Sequence, residues 1–91
     1  MQEKKYYVYV IQSKTNGRYY VDQTKDLELR LRKHNSGESR STKFGRPWDV
    51  IHKEEFETRG EAVRRERFLK SPDGWNTLKR IKSERGPAVI L

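Results

Sequence analysis

Two short runs of aromatic and β-branched residues, Tyr6-Tyr7-Val8-Tyr9-Val10-Ile11 and Tyr19-Tyr20-Val21, flank a polar stretch that ends in Asn16-Gly17. Such side chains pack well on a pleated surface, and the runs are too short to settle as helices. Asn-Gly is the pair that accepts the left-handed backbone of a tight hairpin turn. The two runs therefore read as antiparallel neighbours, the first of them buried on both faces.

The rest of the chain reads in the same terms. Asp26 caps a helix over 27–36 that ends at Gly37, with Leu27 and Leu31 one turn apart on its inner face. Arg30 and His34, four residues apart, lie on the edge of that face. The stretch 36–47 is rich in Ser and Gly and carries Arg40, Lys43 and Arg46, the pattern of a mobile basic loop. A third strand follows over 48–56, with Trp48, Val50 and Ile51 on its apolar side. Thr58 and Glu61 make a capping box for a helix that reaches about Ser71. Pro72-Asp73-Gly74 breaks the pattern, and a last basic helix runs over 75–84 with Trp75, Leu78 and Ile81 on one face. Residues 85–91, with Gly86 and Pro87, read as a flexible tail. The expected architecture is a single α+β domain over 1–84: a small three-stranded antiparallel or mixed sheet flanked by helices, in the order β-β-α-β-α-α.

Composition narrows the class. In 91 residues, 32% are hydrophobic, 37% charged and 11% aromatic, so the core must be small and built largely from rings. With no cysteine there is no disulfide framework, thiolate nucleophile or Cys-based zinc site. No apolar stretch approaches the roughly 18 residues of a spanning helix, and Met1 to Lys5 lead into a strand without a signal-peptide core. The expectation is no membrane association and a cytoplasmic location. Lys plus Arg number 21 against 13 Asp plus Glu, a formal charge of +8 that attracts polyanions and makes nucleic acid the leading partner.

A few residues stand out chemically. Glu66 falls in the helical arc that holds Ala62, Val63 and Leu69, where a carboxylate is costly unless it pairs with a cation, binds a metal or rims a cleft. Tyr9 and Tyr20 lie on the two paired strands, where phenols either pack or emerge together on one face. Arg30 carries a guanidinium suited to gripping a phosphate, or is simply a solvated charge. His34 is a proton acceptor near neutral pH, or a satisfied half-buried ring. Glu54 and Glu55 point to opposite faces of a strand, and His52 has no assigned role. Phosphate-loop, dinucleotide and paired-histidine zinc motifs are absent.

Taken together, Tyr7-Val8-Tyr9, a polar hairpin, Tyr20-Val21-Asp22, Arg30 ten residues after Tyr20, His34 four beyond that, and a helical Glu66 resemble the GIY-YIG nuclease domain. Within that superfamily the chain is most similar to short stand-alone bacterial proteins related to the amino-terminal nuclease domain of excinuclease C. The resemblance extends from Tyr6 to about Glu84. It implies a metal-dependent endonuclease that hydrolyses DNA phosphodiester bonds. Tyr9 and Tyr20 would be the two motif tyrosines, Arg30 the phosphate-facing arginine, and Glu66 the carboxylate for one Mg²⁺ or Mn²⁺. Tyr9, acidified by metal and cations, would orient or deprotonate the attacking water, with His34 the alternative proton acceptor. Arg40, Lys43 and Arg46, with Lys79, Arg80 and Lys82 of the last helix, would hold the nucleic acid.

Two positions depart from the motif. Tyr7 stands in place of its first glycine and Asp22 in place of its last. An aspartate there suffers if the backbone needs positive φ, and its charge repels the scissile phosphate unless it becomes a second metal ligand. The alternative expectation is therefore a nucleic-acid-binding module with weakened or absent cleavage.

Overall fold

The computed structural model describes the backbone of residues 5–90 and the side chains of 5–84. Strands β1 (Tyr6–Ser13) and β2 (Tyr19–Thr24) precede helix α1 (Leu27–Ser36), strand β3 (Trp48–Phe56) and helices α2 (Arg59–Lys70) and α3 (Trp75–Ile90). Single turns of 3-10 helix, Lys43–Gly45 and Pro72–Gly74, stand before β3 and α3. The sheet order is β2-β1-β3 with both pairings antiparallel, the expected α+β class.

The hairpin forms as its residues dictate. Gly17 takes φ 77°, and Ser13 Oγ accepts from the backbone N–H groups of Thr15 and Asn16. The pairing sets Tyr9 opposite Asp22 and Ile11 opposite Tyr20. Since side chains alternate along a strand, β1 divides its apolar residues between two layers. Val8 and Val10 join Val21, Ala62, Leu69 and Ile81 under α2 and α3. Tyr9 and Ile11 join Trp48, with Tyr20, Leu27, Leu31 and Val50 against them, under α1. A bulge between Val10 and Ile11 shifts the β1–β3 register so that Val10 faces His52 while Ile11 faces Val50.

The helix boundaries follow their caps. Asp26 accepts from Leu29 N at 3.0 Å, and Gly37 closes α1 at φ 89°. Thr58 and Glu61 form the complete capping box of α2. A half-buried two-point ion pair then ties α2 to the sheet. Arg65 Nε and Nη2 donate to Glu54 Oε1 and Oε2 at 2.8 and 3.0 Å, and His52 Nε2 lies 2.8 Å from Glu54 Oε2. Burial alone would raise the Glu54 pKa, but the hydrogen bonds from Arg65 and His52 outweigh it and hold the carboxyl below its usual range.

Two segments differ from expectation. The stretch 36–47 is tied down, not loose. Ser13 Oγ donates to Gly45 O at 2.5 Å, Trp48 Nε1 donates to Thr42 O at 2.8 Å, and Thr15 Oγ1 donates to Arg46 O. Gly45 lies so close to the Trp48 ring that a Cβ there would overlap it. The sequence shows no periodicity here because these anchors come from distant residues. The second difference is α3, which continues to Ile90 past the expected end at Glu84. The expected flexible tail, 85–91, falls on residues whose side chains lie outside the described ones. No helix among the described residues is long and apolar enough to cross a membrane.

Candidate active site

Beneath α1, a buried chain of hydrogen bonds links three elements. Tyr9 of β1, His34 of α1 and Thr42 of the following loop are each essentially inaccessible to solvent. Tyr9 Oη lies 2.8 Å from His34 Nε2, and His34 Nδ1 lies 2.7 Å from Thr42 Oγ1. Tyr9 Oη also reaches Asp22 Oδ2 at 3.3 Å, as the strand register places it. One phenol proton thus has two acceptors. With the phenol on His34, Nδ1 donates to Thr42; with the phenol on Asp22, Nε2 donates to the phenol oxygen and Nδ1 accepts from Thr42. Both arrangements leave the imidazole neutral and every partner satisfied. Burial, followed by the Arg30 charge, pushes the His34 pKa down against the opposing pull of Asp22.

Asp22 links this chain to Arg30. Its Oδ2 accepts from Arg30 Nε at 3.3 Å and Nη2 at 3.0 Å, while Oδ1 accepts from Gln23 N at 2.8 Å. The strand backbone accommodates an aspartate without strain, because the positive φ angles among the described residues belong to Gly17 and Gly37. The motif position therefore carries no demand for glycine from its own backbone here. Burial works to lower the Arg30 pKa, but the Asp22 hydrogen bond more than compensates and the pKa is raised.

The same carboxylate bears on Tyr9: among the protein's own groups, burial first and the Asp22 charge second push its phenol well above the usual tyrosine range, overcoming Arg30. Tyr20 is the partly exposed phenol. Its ring packs edge-on to His34 with centroids 5.5 Å apart, and its Oη accepts from Ser41 Oγ at 3.4 Å.

Glu66 approaches from the other layer, around the free edge of β2. Its side chain is 17% exposed and its Oε2 accepts from Lys70 Nζ at 2.6 Å, one turn along α2. Lys70 Nζ in turn sits 5.8 Å from the Tyr20 ring centroid. Burial opposes the Lys70 charge, but Glu66, aided by Tyr20 and Asp22, raises its pKa. Lys70 thus joins Glu66 electrostatically to the Tyr9–Asp22–Arg30–His34 group. Among the described residues no three His, Asp or Glu side chains converge on a common point. One half-buried carboxylate that already holds a cation is poor material for a caged metal, but it fits a hydrated Mg²⁺ or Mn²⁺, which takes one or two carboxylates and retains its waters.

The expected nucleic-acid contacts divide between layers. Arg40, Lys43 and Arg46 stand in the anchored loop beside Ser41 and Thr42, which touch Tyr20 and His34. Lys79, Arg80 and Lys82 stand on α3, where Lys82 Nζ lies 4.4 Å over the Tyr19 ring on the opposite side of the sheet. Sequence reasoning missed Ser41, Thr42 and Lys70. The i,i+4 spacing of Glu66 and Lys70 was the one available signal; nothing local marks Thr42 as the partner of a buried histidine.

This arrangement, a tyrosine hairpin of β1 and β2 with Arg30 and His34 on the next helix and Glu66 on the second, defines a nuclease-like domain. Residues 5–79 match the model of the GIY-YIG catalytic domain, and the chain belongs to that family. It is similar to a UPF0213 protein of Staphylococcus saprophyticus, 37% identical over 78 residues that cover 85% of this chain and 94% of that one. A UPF0213 protein of Staphylococcus aureus is 33% identical over the same shares. The solution NMR structure of a UPF0213 protein from Bacillus halodurans matches the fold with TM-score 0.55 and 27% identity, covering 92% of this chain and 89% of that one. The family is nuclease-like, and its domain implies nucleic-acid binding in general.

Proposed function

We propose that the chain is a metal-dependent endonuclease that hydrolyses DNA phosphodiester bonds at the edge of β2. The observation that carries this reading is the gathering of Tyr9, Asp22, Arg30 and His34 in one hydrogen-bonded group, with Lys70 linking it to Glu66. A divalent ion held by Glu66 would supply charge neutralisation for the phosphate and a more acidic bound water.

The remaining chemistry belongs to the chain itself. A guanidinium has five N–H donors, of which Asp22 engages Nε and one on Nη2. The others are left to grip a non-bridging phosphate oxygen in a fixed orientation. Tyr20, partly exposed beside Lys70, orients the attacking water. Tyr9 is a positioning residue: it is buried, its proton is held tightly, and it braces Asp22 and His34. His34 stays neutral and packs edge-on against Tyr20.

Nicking of supercoiled plasmid with Mg²⁺ or Mn²⁺ tests the proposal. Cleavage should appear with metal and vanish with chelator and in Glu66→Ala. Cleavage that persists in Glu66→Ala would overturn it. One observation favours a second reading, a nucleic-acid-binding module with little or no cleavage: Asp22 already neutralises the arginine meant for phosphate. On that reading wild-type protein binds DNA in a salt-sensitive, chelator-insensitive way without cutting it.

A further inference from the structure

Phe44 is 82% exposed, in a protein whose other rings mostly find partners in the two core layers. A ring this far out adds little to the core, and its face is available to a ligand. Its immediate neighbours are cationic. Lys43 Nζ stands 5.0 Å from its ring centroid, and Arg46 Nε donates to Lys43 O at 2.7 Å, which draws the guanidinium alongside the same turn. The backbone that carries the ring is held on either side. Thr42 is buried against His34 and Trp48, and Gly45 is buried against the Trp48 ring and bonded to Ser13. The ring is therefore presented on a fixed base, so that ordering it on a ligand costs little entropy. Ser41 and Thr42, a few residues before it, touch Tyr20 and His34.

We infer that Phe44 is a stacking platform for one unpaired base of a single-stranded nucleic acid, with Lys43 and Arg46 holding the flanking phosphates. An aromatic ring between cations matches the alternation of base and phosphate along a single strand, and base stacking tolerates any sequence. In an intact duplex the base faces are covered by their neighbours, so a protruding ring gains nothing there. The platform directs the domain toward frayed, looped or single-stranded substrate. It rests on the proposed function only in taking nucleic acid as the ligand, and not on cleavage.

The test is binding measured by fluorescence anisotropy in chelator, with labelled oligothymidylate and a labelled duplex of equal length. Phe44→Ala should raise the Kd for the single strand about tenfold, the effect of losing one stacked base, and leave the duplex Kd unchanged. Phe44→Trp should restore binding, whereas Lys43→Gln should weaken both ligands and flatten the salt dependence. A single-strand Kd unmoved by Phe44→Ala, or an equal loss on both ligands, overturns the inference. So does self-association of the wild type, seen in sedimentation, that Phe44→Ala abolishes while single-strand binding stays intact. Phe44-dependent binding without nicking would support the platform and sink the endonuclease reading; nicking with Phe44-independent binding would do the reverse.

Discussion

Asp22 and Arg30 share a single carboxylate oxygen: both Nε and Nη2 of the arginine donate to Oδ2, the atom that also faces the Tyr9 hydroxyl. The contact holds the guanidinium in place and cancels its charge at the same time. Which effect governs function is decided by removing the charge and keeping the shape. Asp22→Asn frees the positive charge for a phosphate, so duplex affinity at low salt should rise and the slope of log K against log salt should steepen by about 0.9, the release of one further counterion. Filter binding across a salt series measures it. Cleavage should rise in Asp22→Asn, while Asp22→Gly, which also frees the guanidinium to wander, should gain less.

The buried Tyr9–His34–Thr42 chain should be the costliest part of the site to disturb. His34→Ala leaves the Thr42 hydroxyl without its buried partner, leaves the Tyr9 phenol with Asp22 alone and opens a cavity, a loss of about 3 kcal/mol in urea unfolding. The wild type should also show a linked pH dependence. Because the folded state lowers the His34 pKa, the unfolded chain takes up a proton first as pH falls below about 6.5. Stability contributed by the neutral ring is present above that pH and is lost on acidification toward the folded pKa. His34→Ala should flatten this slope.

At the alkaline end Tyr9 acts in the opposite sense. Its raised folded pKa means that the unfolded chain loses its phenol proton first, above a pH of about 10. Stability is complete below that pH and declines above it. Tyr9→Phe should remove this decline while lowering stability at neutral pH by about 1 kcal/mol, the net value of the lost hydrogen bonds. Thermal unfolding followed by circular dichroism between neutral pH and about pH 11 distinguishes the two proteins.

How much of this was legible in advance depends on whether the cause is local. The hairpin was legible because Asn16-Gly17 and the strand formers around it act within a few residues. The caps at Asp26, Gly37 and Thr58 were legible for the same reason. The loop around Thr42 was not, since its order comes from Ser13, His34 and Trp48, none of them close by in sequence. Composition alone reads such a stretch as loose. The depth of His34 was hidden too: a histidine beside an apolar stripe shows its position on the helix but not the hydroxyl that satisfies it. Glu66 stood out as a carboxylate in an apolar arc, and the cation that holds it is Lys70 of its own helix.

The Glu54–Arg65 pair should matter for the fold alone. Glu54→Gln removes the charge from a two-point contact whose members are less than a third exposed, and should cost about 1–2 kcal/mol in urea unfolding with plasmid nicking unchanged. Because the folded state lowers the Glu54 pKa, the contribution is present above the unfolded value of about 4.3 and is lost as pH falls through the folded pKa. The variant should therefore lose less stability than the wild type on acidification below about pH 5.

Lys70 offers the last expectation, and the one that bears most directly on the metal. Its ammonium, 2.6 Å from Glu66 Oε2, holds the carboxylate that would bind a divalent ion on the proposed reading, so metal would compete with a covalently tethered cation for it. Lys70→Gln removes the competitor and should lower the Mn²⁺ concentration for half-maximal nicking several-fold. The ammonium also neutralises charge beside Tyr20, where phosphate would sit. Losing it should weaken DNA binding and lower the maximal rate even at saturating metal. A Mn²⁺ titration of nicking, read as midpoint and plateau separately, resolves the two effects. A left-shifted midpoint with a lower plateau is expected; a midpoint that does not move would mean that the ion, if bound, does not use Glu66.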